Sequence, residues 1–204
     1  MEALTTEHKT CPLLALAAQS LYNSSMNWPN GLTLLRIVLI PAILYFVLVP
    51  GPSFALIALG LFALAALTDA ADGYLARWRR NETNLGKFAD PIADKILIIS
   101  VLLAFVQLQE ISAIPVIVII AREFLVTGLR TVISAQGVVL EASLWGKLKT
   151  VSQIGLVFVL LSQSAFRWDA EGVKAVLIPI VVAVTVISGA EYFYRFRKLL
   201  RRLS

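Results

Sequence analysis

The stretch "DAADGYLARWRRNETNLGKFADPIAD", which runs from Asp69 to Asp94, decides how this chain is interpreted. It begins and ends with pairs of aspartates, and long runs of Leu, Ile, Val and Ala precede and follow it. A carboxylate close to the bilayer interior is costly and is usually kept there for a function. The sequence therefore predicts an acidic site at the edge of a membrane.

The composition supports a membrane protein. Of the 204 residues, 58% are hydrophobic and only 15% are charged, whereas soluble domains are closer to half apolar and a quarter charged. Apolar runs occupy residues 31–50, 54–71, 96–108, 113–121, 151–162 and 176–188. Several are shorter than the roughly 20 residues that a span needs, but each reaches that length with its flanking helix-compatible residues. We predict an all-α integral membrane protein with six transmembrane helices.

Lysine and arginine lie mainly on one side of the predicted spans. The segment between spans two and three carries four basic residues, the segment between spans four and five carries Lys147 and Lys149, and the C-terminal stretch 195–204 carries five. Because cytoplasmic loops are enriched in Lys and Arg, both termini and the aspartate stretch are predicted to face the cytoplasm. The net charge of +5 then indicates affinity for anionic membrane lipids and not for nucleic acid.

Three regions are predicted along the chain. Residues 1–27 are interpreted as an N-terminal cytoplasmic extension, 28–196 as a six-helix membrane domain and 197–204 as a basic cytoplasmic tail. The first region has acidic residues where a signal peptide would have basic ones. No repeat or low-complexity tract divides the rest.

The four aspartates form two helical pairs. Asp69 and Asp72 are three residues apart, and Asp90 and Asp94 are four apart, so each pair projects from one face of its helix. At about 1.5 Å per residue, Asp69 lies about 22 Å along the second span, just short of the cytoplasmic interface. Four facing carboxylates repel one another unless cations lie between them, and oxygen-only ligands favour Mg²⁺ or Mn²⁺. Two such ions about 4 Å apart suit phosphoryl transfer, so a lipid phosphate or diphosphate is the expected substrate.

These residues resemble the signature of the CDP-alcohol phosphatidyltransferase family. The eight fixed positions of that signature are here Asp69, Asp72, Gly73, Ala76, Arg77, Gly86, Asp90 and Asp94, with no departure. The resemblance implies a six-helix membrane fold, usually a homodimer, with its active site at the cytoplasmic face. It also implies that a hydroxyl attacks the β-phosphate of a CDP-linked lipid and that CMP leaves.

The resemblance implies roles for individual residues. The implied metal ligands are Asp69, Asp72, Asp90 and Asp94. Asp94 is also implied as the base that takes the proton from the attacking hydroxyl. The implied contacts to the CDP-lipid are Asp69, Gly73, Ala76, Arg77 and Thr83. For Gly73 and Ala76, ordinary helix packing is the alternative explanation.

Basic residues at depths where charge is costly point to a second bound anion. Arg36 lies inside the first predicted span, Arg122 and Arg130 interrupt the fourth, and Lys147 begins the fifth. A buried arginine costs several kcal/mol unless it is paired or faces a wet cavity, and pairing of Arg122 with Glu123 is the alternative to ligand binding. Arginine favours phosphate through bidentate contacts. The predicted acceptor-phosphate residues are Thr33, Arg36, Arg122, Arg130 and Lys147.

The stretches "NGLTLLRIVLIP", "AREFLVTGLR" and "GKLKTVSQ" resemble one branch of the family, the bacterial phosphatidylglycerophosphate synthases. This resemblance implies CDP-diacylglycerol as donor, sn-glycerol 3-phosphate as acceptor and a place in the bacterial cytoplasmic membrane.

Three alternatives remain at this stage. Within the family, a phosphatidylinositol phosphate synthase or a cardiolipin synthase would use another acceptor. From a different class, a divalent-cation transporter would also carry intramembrane carboxylates. A transporter would need polar residues across the whole membrane, whereas predicted spans two and three are apolar away from their cytoplasmic ends.

Overall fold

The computed structural model describes residues 28–76, 84–135 and 143–203, and within these it describes side chains for 35–68, 95–134 and 143–198. This part of the chain is all-helical, as predicted, and contains no strand. The helices are α1 (Trp28–Leu48), α2 (Pro52–Ala76), α3 (Asn84–Gln107), α4 (Ala113–Ala135), α5 (Leu144–Phe166) and α6 (Glu171–Leu203). Each of the six apolar runs falls on one of these helices.

Local signals explain several helix boundaries. Ser143 caps α5, because its hydroxyl accepts a hydrogen bond from the backbone N–H of Gly146 at 3.1 Å. Arg167 ends the same helix in a left-handed conformation, with φ of 52°, and its N–H donates to the carbonyl of Gln163 at 2.8 Å. Gly51 adopts a φ of 144° in the short turn between α1 and α2, which a side chain would strain.

The helices form one bundle around an apolar core. α1 packs against α2 and α3, α5 packs against α2, α3 and α6, and α4 packs against α3 and α6. The core includes Phe62, Phe105 and Leu160, all fully buried. A smaller apolar cluster of Val126, Ile133 and Tyr192 joins the later turns of α4 to those of α6. It holds the part of α4 that carries Arg130 against α6.

The outer surface of the bundle is rich in large apolar side chains, such as Leu67, Ile114 and Phe124. Large apolar side chains exposed in this number indicate contact with a partner or a membrane. Within the described part, Leu144–Phe166 and Glu171–Lys198 are long and apolar enough to cross a membrane. Shorter apolar segments occur at Leu35–Leu48, Pro52–Thr68 and Lys95–Gln107. Six spans with both termini in the cytoplasm stay a prediction.

The predicted regions compare with the helices as follows. The predicted membrane domain starts at residue 28, where α1 also starts, but its predicted end at 196 lies inside α6, which continues to Leu203. The predicted extension 1–27 lies outside the described residues. The three-region division stays a prediction.

Candidate active site

The two aspartate pairs lie on helices whose ends adjoin the same connecting segment. Asp69 and Asp72 lie in the last third of α2, and Asp90 and Asp94 lie in the first half of α3. Residues 77–83 connect these two helix ends. All four aspartates therefore belong to one end of the bundle.

The side chains of the aspartates lie outside the described ones, as do those of Thr33, Gly73, Ala76 and Gly86. Arg77 and Thr83 fall in residues 77–83, outside the described backbone. Among the described side chains, no group of His, Cys, Asp and Glu could hold a metal ion. The roles assigned to these residues stay predictions.

The first described side chain of α3 connects the acidic helix start to a basic region. Lys95 directly follows Asp94 and lies within electrostatic range of both Glu123 on α4 and Lys149 on α5. Because neighbouring residues share one helix turn, the backbone of Asp94 is brought close to these residues.

The centre of the basic region is Glu123, whose side chain is only 4% exposed. Its Oε1 accepts a hydrogen bond from Nη1 of Arg122 at 3.2 Å and another from Nζ of Lys149. Arg122 also donates from Nη2 to the hydroxyl of Ser188 on α6, at 2.6 Å. We call Arg122, Glu123, Lys149 and Ser188 the Glu123 cluster. It links α4, α5 and α6 through polar contacts.

Arg130 lies two turns after Arg122 on the same helix and extends the basic region. Its Nε lies 3.5 Å from the hydroxyl oxygen of Tyr192, and its guanidinium carbon lies 5.7 Å from the centre of that ring. These distances fit a long hydrogen bond combined with a cation–π contact. Arg130 is also within electrostatic range of Arg122. The tyrosine is buried, so it fixes the arginine on one side.

The predicted acceptor residues Arg36 and Lys147 lie on other helices than Arg122 and Arg130. Arg36 is buried on α1, at 4% exposure, whereas Lys147 is exposed at the start of α5. The lysine that enters the Glu123 cluster is Lys149, two residues further on. Arg122 and Arg130 thus lie two turns apart on α4, and the Glu123 cluster adds Lys149 and Ser188, which the sequence did not single out as site residues. The role of the predicted residues in binding the acceptor stays a prediction.

The alternative explanation for Arg122, pairing with Glu123, is observed. The pairing is shared, because Arg122 and Lys149 both contact the carboxylate of Glu123 and Lys95 acts on it electrostatically. Among Arg122, Lys149 and Glu123, two positive charges face one negative charge, which favours the binding of an anion. The Glu123 cluster can thus bind a phosphate while remaining an ion-pair network.

Comparison with known sequences gives the family. Residues 26–187 match the sequence profile of CDP-alcohol phosphatidyltransferase. The chain belongs to this family. The matched range contains both aspartate pairs together with Arg122, Glu123 and Lys149, and it ends one residue before Ser188.

Individual members of the CDP-alcohol phosphatidyltransferase family are similar over most of their length. A protein of Bacillus subtilis (strain 168) named CDP-diacylglycerol–glycerol-3-phosphate 3-phosphatidyltransferase is 41% identical over 180 residues, covering 82% of this chain and 93% of the relative. A protein of Rickettsia bellii (strain RML369-C) with the same name is 35% identical over 174 residues, covering 84% and 96%. A probable phosphatidylglycerophosphate synthase of Mycobacterium tuberculosis (strain ATCC 25618 / H37Rv) is 39% identical over 175 residues, covering 83% and 81%.

Proposed function

We propose that this protein transfers the phosphatidyl group of CDP-diacylglycerol to sn-glycerol 3-phosphate, which yields phosphatidylglycerol phosphate and CMP. Two findings support the proposal together. The chain belongs to the CDP-alcohol phosphatidyltransferases, and several relatives carry a name with this donor and this acceptor. The basic region at Glu123 supports an acceptor with its own phosphate, and the names of the relatives favour sn-glycerol 3-phosphate among such acceptors.

The donor set of the two aspartate pairs fits Mg²⁺ or Mn²⁺. Carboxylate oxygens are the ligands that these hard cations prefer, and the four aspartates sit on two helix ends joined by one short segment. Asp69, Asp72, Asp90 and Asp94 would hold the metal, in a two-ion site. Bound there, such ions stabilise charge on the attacking and leaving oxygens of a phosphoryl transfer.

Other residues bind the CDP group and accept the proton of the acceptor. Gly73 and Ala76 leave room for the CDP group at the end of α2, and Arg77 and Thr83 contact it with Asp69. Asp94 accepts the proton of the acceptor hydroxyl as the new oxygen–phosphorus bond forms. The bond between the β-phosphate and CMP breaks, and CMP leaves with the electron pair. The proton then passes from Asp94 to solvent.

The acceptor phosphate binds to the basic residues. Arg122 and Arg130 provide guanidinium groups that match phosphate oxygens in pairs, and Lys149 adds an ammonium on the same carboxylate as Arg122. Arg36, Lys147 and Thr33 stay predicted contacts of the acceptor. We infer that an acceptor held by its phosphate at the Glu123 cluster presents its hydroxyl to Asp94, and the support is that Lys95, the next residue in the chain, acts electrostatically on Glu123 and Lys149. Binding by a group away from the reacting atoms is an efficient way to orient a small substrate.

The proposal also covers the topology of the protein in the membrane. We infer six transmembrane helices, in a domain from 28 to 196 between a cytoplasmic extension and a basic tail, with both termini and the active site on the cytoplasmic side of the bacterial inner membrane. The apolar outer surface of the bundle supports contact with membrane lipids. The family resemblance supports a homodimer.

The test is CMP release by the purified full-length protein in detergent, with CDP-diacylglycerol, Mg²⁺ and sn-glycerol 3-phosphate. Parallel reactions replace the acceptor by inositol phosphate, free glycerol, serine or phosphatidylglycerol. We expect metal-dependent release with sn-glycerol 3-phosphate alone. Release with inositol phosphate or phosphatidylglycerol alone would assign another branch of the family. No release with any acceptor, in protein that is demonstrably folded, would overturn the proposed reaction.

A further inference from the structure

Arg122 is held on three sides by residues that belong to two helices. Glu123 accepts a hydrogen bond from its Nη1, and Ser188 accepts one from its Nη2. Gly189 lies against its aliphatic part, so that a Cβ added at position 189 would lie 3.1 Å from Cγ of Arg122. That distance is shorter than an ordinary carbon–carbon contact of about 3.5 to 4.0 Å. The position of the guanidinium therefore depends on the absence of a side chain at position 189.

Glu123 also fixes the distance between two cations. Arg122 and Lys149 approach the same atom, Oε1, from different helices. Two cations this close repel each other strongly where little water screens them, so a shared carboxylate is needed to keep them together. The other oxygen, Oε2, is buried, and among the described side chains it has no hydrogen-bond partner. The carboxylate of Glu123 therefore contacts cations and is shielded from solvent.

We propose that Glu123, Ser188 and Gly189 are positioning residues, which hold the Arg122 guanidinium and the Lys149 ammonium as one anion-binding pair for the acceptor phosphate. This inference rests on the proposed function, because it takes a phosphorylated acceptor as the ligand. None of the three positioning residues contacts the acceptor. They act by keeping a guanidinium with two-point phosphate geometry and an ammonium within reach of one phosphate group.

A purely structural role of the Glu123 cluster would give different effects on stability and on the two substrates. If the cluster only joined α4, α5 and α6, weakening it would lower the thermal stability of the protein and disturb both substrates alike. A positioning role changes acceptor affinity specifically, because the acceptor phosphate does not react and its contacts contribute to binding more than to the chemical step. A rise in KM for the acceptor that is larger than the rise in KM for CDP-diacylglycerol therefore indicates a positioning role, and equal rises indicate a purely structural one.

The sharpest variant is Gly189→Ala, which leaves every charge in place and displaces Arg122 by a few tenths of an ångström. Its matched control is Gly128→Ala on α4, where an added Cβ meets nothing within 4 Å. We expect Gly189→Ala to raise KM for sn-glycerol 3-phosphate on the order of tenfold, since small misplacements of binding groups are expensive. KM for CDP-diacylglycerol, kcat and Tm should stay close to those of the control.

A second variant, Glu123→Gln, keeps the shape of the side chain and removes its charge. We expect a larger rise in KM for the acceptor than with Gly189→Ala, with KM for CDP-diacylglycerol little changed. Binding is also measured without turnover, as the rise in Tm that sn-glycerol 3-phosphate or inorganic phosphate produces in the wild type and in each variant. Higher phosphate concentrations should be needed for the same rise in both variants.

The outcomes separate this inference from the proposed reaction. A wild type that does not use sn-glycerol 3-phosphate, but whose phosphate-dependent rise in Tm is weakened by Gly189→Ala, would contradict the proposed reaction and support the positioning role. A wild type that uses this acceptor, with Gly189→Ala indistinguishable from Gly128→Ala, would overturn the positioning role alone. Equal changes in both KM values, or no stabilisation of the wild type by either phosphate compound, would overturn it as well.

Discussion

The Nε2 atom of Gln153 lies 3.4 Å from the hydroxyl oxygen of Thr185, and both side chains are fully buried between α5 and α6. Gln153 is one helix turn from Lys149, and Thr185 is one turn from Ser188. The polar contacts between these two helices therefore continue one turn deeper than the Glu123 cluster. Apolar core residues such as Leu156 and Val181 follow.

This pair gives a test of stability. Thr185→Val removes the hydroxyl that accepts from Gln153 and leaves a buried donor without a partner, so we expect a loss of about 1 to 2 kcal/mol. The double variant Gln153→Leu/Thr185→Val removes both polar groups and should recover part of that loss. Thermal unfolding in detergent measures both. A double variant that is no more stable than Thr185→Val alone would contradict the explanation.

A second stability prediction concerns the opposite end of α6. The Nζ atom of Lys174 lies 3.0 Å from Oε2 of Glu110 and 2.6 Å from Oε1 of Glu171, and Gln163 donates to the same Glu110 oxygen at 2.9 Å. Lys174→Met leaves these acceptors without the buried cation, so we expect a loss of about 1 to 3 kcal/mol. Lys174→Arg, which keeps the charge, should lose less. KM for the acceptor should be unchanged in both, and a large change there would contradict the separation of the two ends.

Arg130 should contribute to acceptor binding more than to turnover. We expect Arg130→Ala to raise KM for sn-glycerol 3-phosphate about tenfold or more, with a smaller effect on kcat, because its contact is with a phosphate that does not react. Tyr192→Phe removes the hydroxyl at 3.5 Å but keeps the ring under the guanidinium, so it should have only a small effect. A fall in kcat with KM unchanged in Arg130→Ala would contradict the assignment.

Asp94 is expected to be the residue most sensitive to a neutral replacement. Asp94→Asn removes the base and one metal contact, and we expect turnover to fall by about 10²-fold to 10⁴-fold or more. Binding of CDP-diacylglycerol should persist in part, since other residues hold the CDP group. CMP release and equilibrium binding of the donor measure the two effects. Near-normal turnover would show that another group takes the proton.

Removal of divalent ions tests the aspartate site directly. Treatment with EDTA should abolish CMP release, and addition of Mg²⁺ or Mn²⁺ should restore it. Asp69→Asn removes one carboxylate from the donor set, so we expect it to need a higher metal concentration for half-maximal activity. Full activity after exhaustive chelation would contradict a metal-dependent mechanism.

The sequence predicted the helices well because one physical signal, a long apolar run, marks each of them. The sequence also indicated Arg122 and Arg130 as candidate acceptor residues, because charged residues within a predicted span are unusual. The run at 113–121 is short, however, whereas α4 extends to Ala135. The extension past Arg122 and Glu123 is stabilised by partners on α5 and α6, Lys149 and Ser188, and such partners become visible only once the helices are packed.

Three contacts of the Glu123 cluster could not be predicted from the sequence, because each depends on how the helices pack. Lys149 enters the Glu123 cluster while Lys147 is exposed, and this depends on the rotation of α5 about its axis. Ser188 is separated from Arg122 by more than sixty positions, and its contact depends on how α4 and α6 cross. Gly189 resembles an ordinary small residue for helix packing until its distance to Arg122 is known.

Lys174 and Ser188 lie on the same helix, about 21 Å apart at about 1.5 Å per residue, with the apolar core between them. Substitutions separated by more than about 10 Å usually act independently. A lineage that adapts to a new growth temperature can therefore change the contacts around Lys174 without altering substrate preference, and one that acquires a new acceptor can change those around Ser188 without losing robustness. One long helix thus allows the two traits to evolve separately.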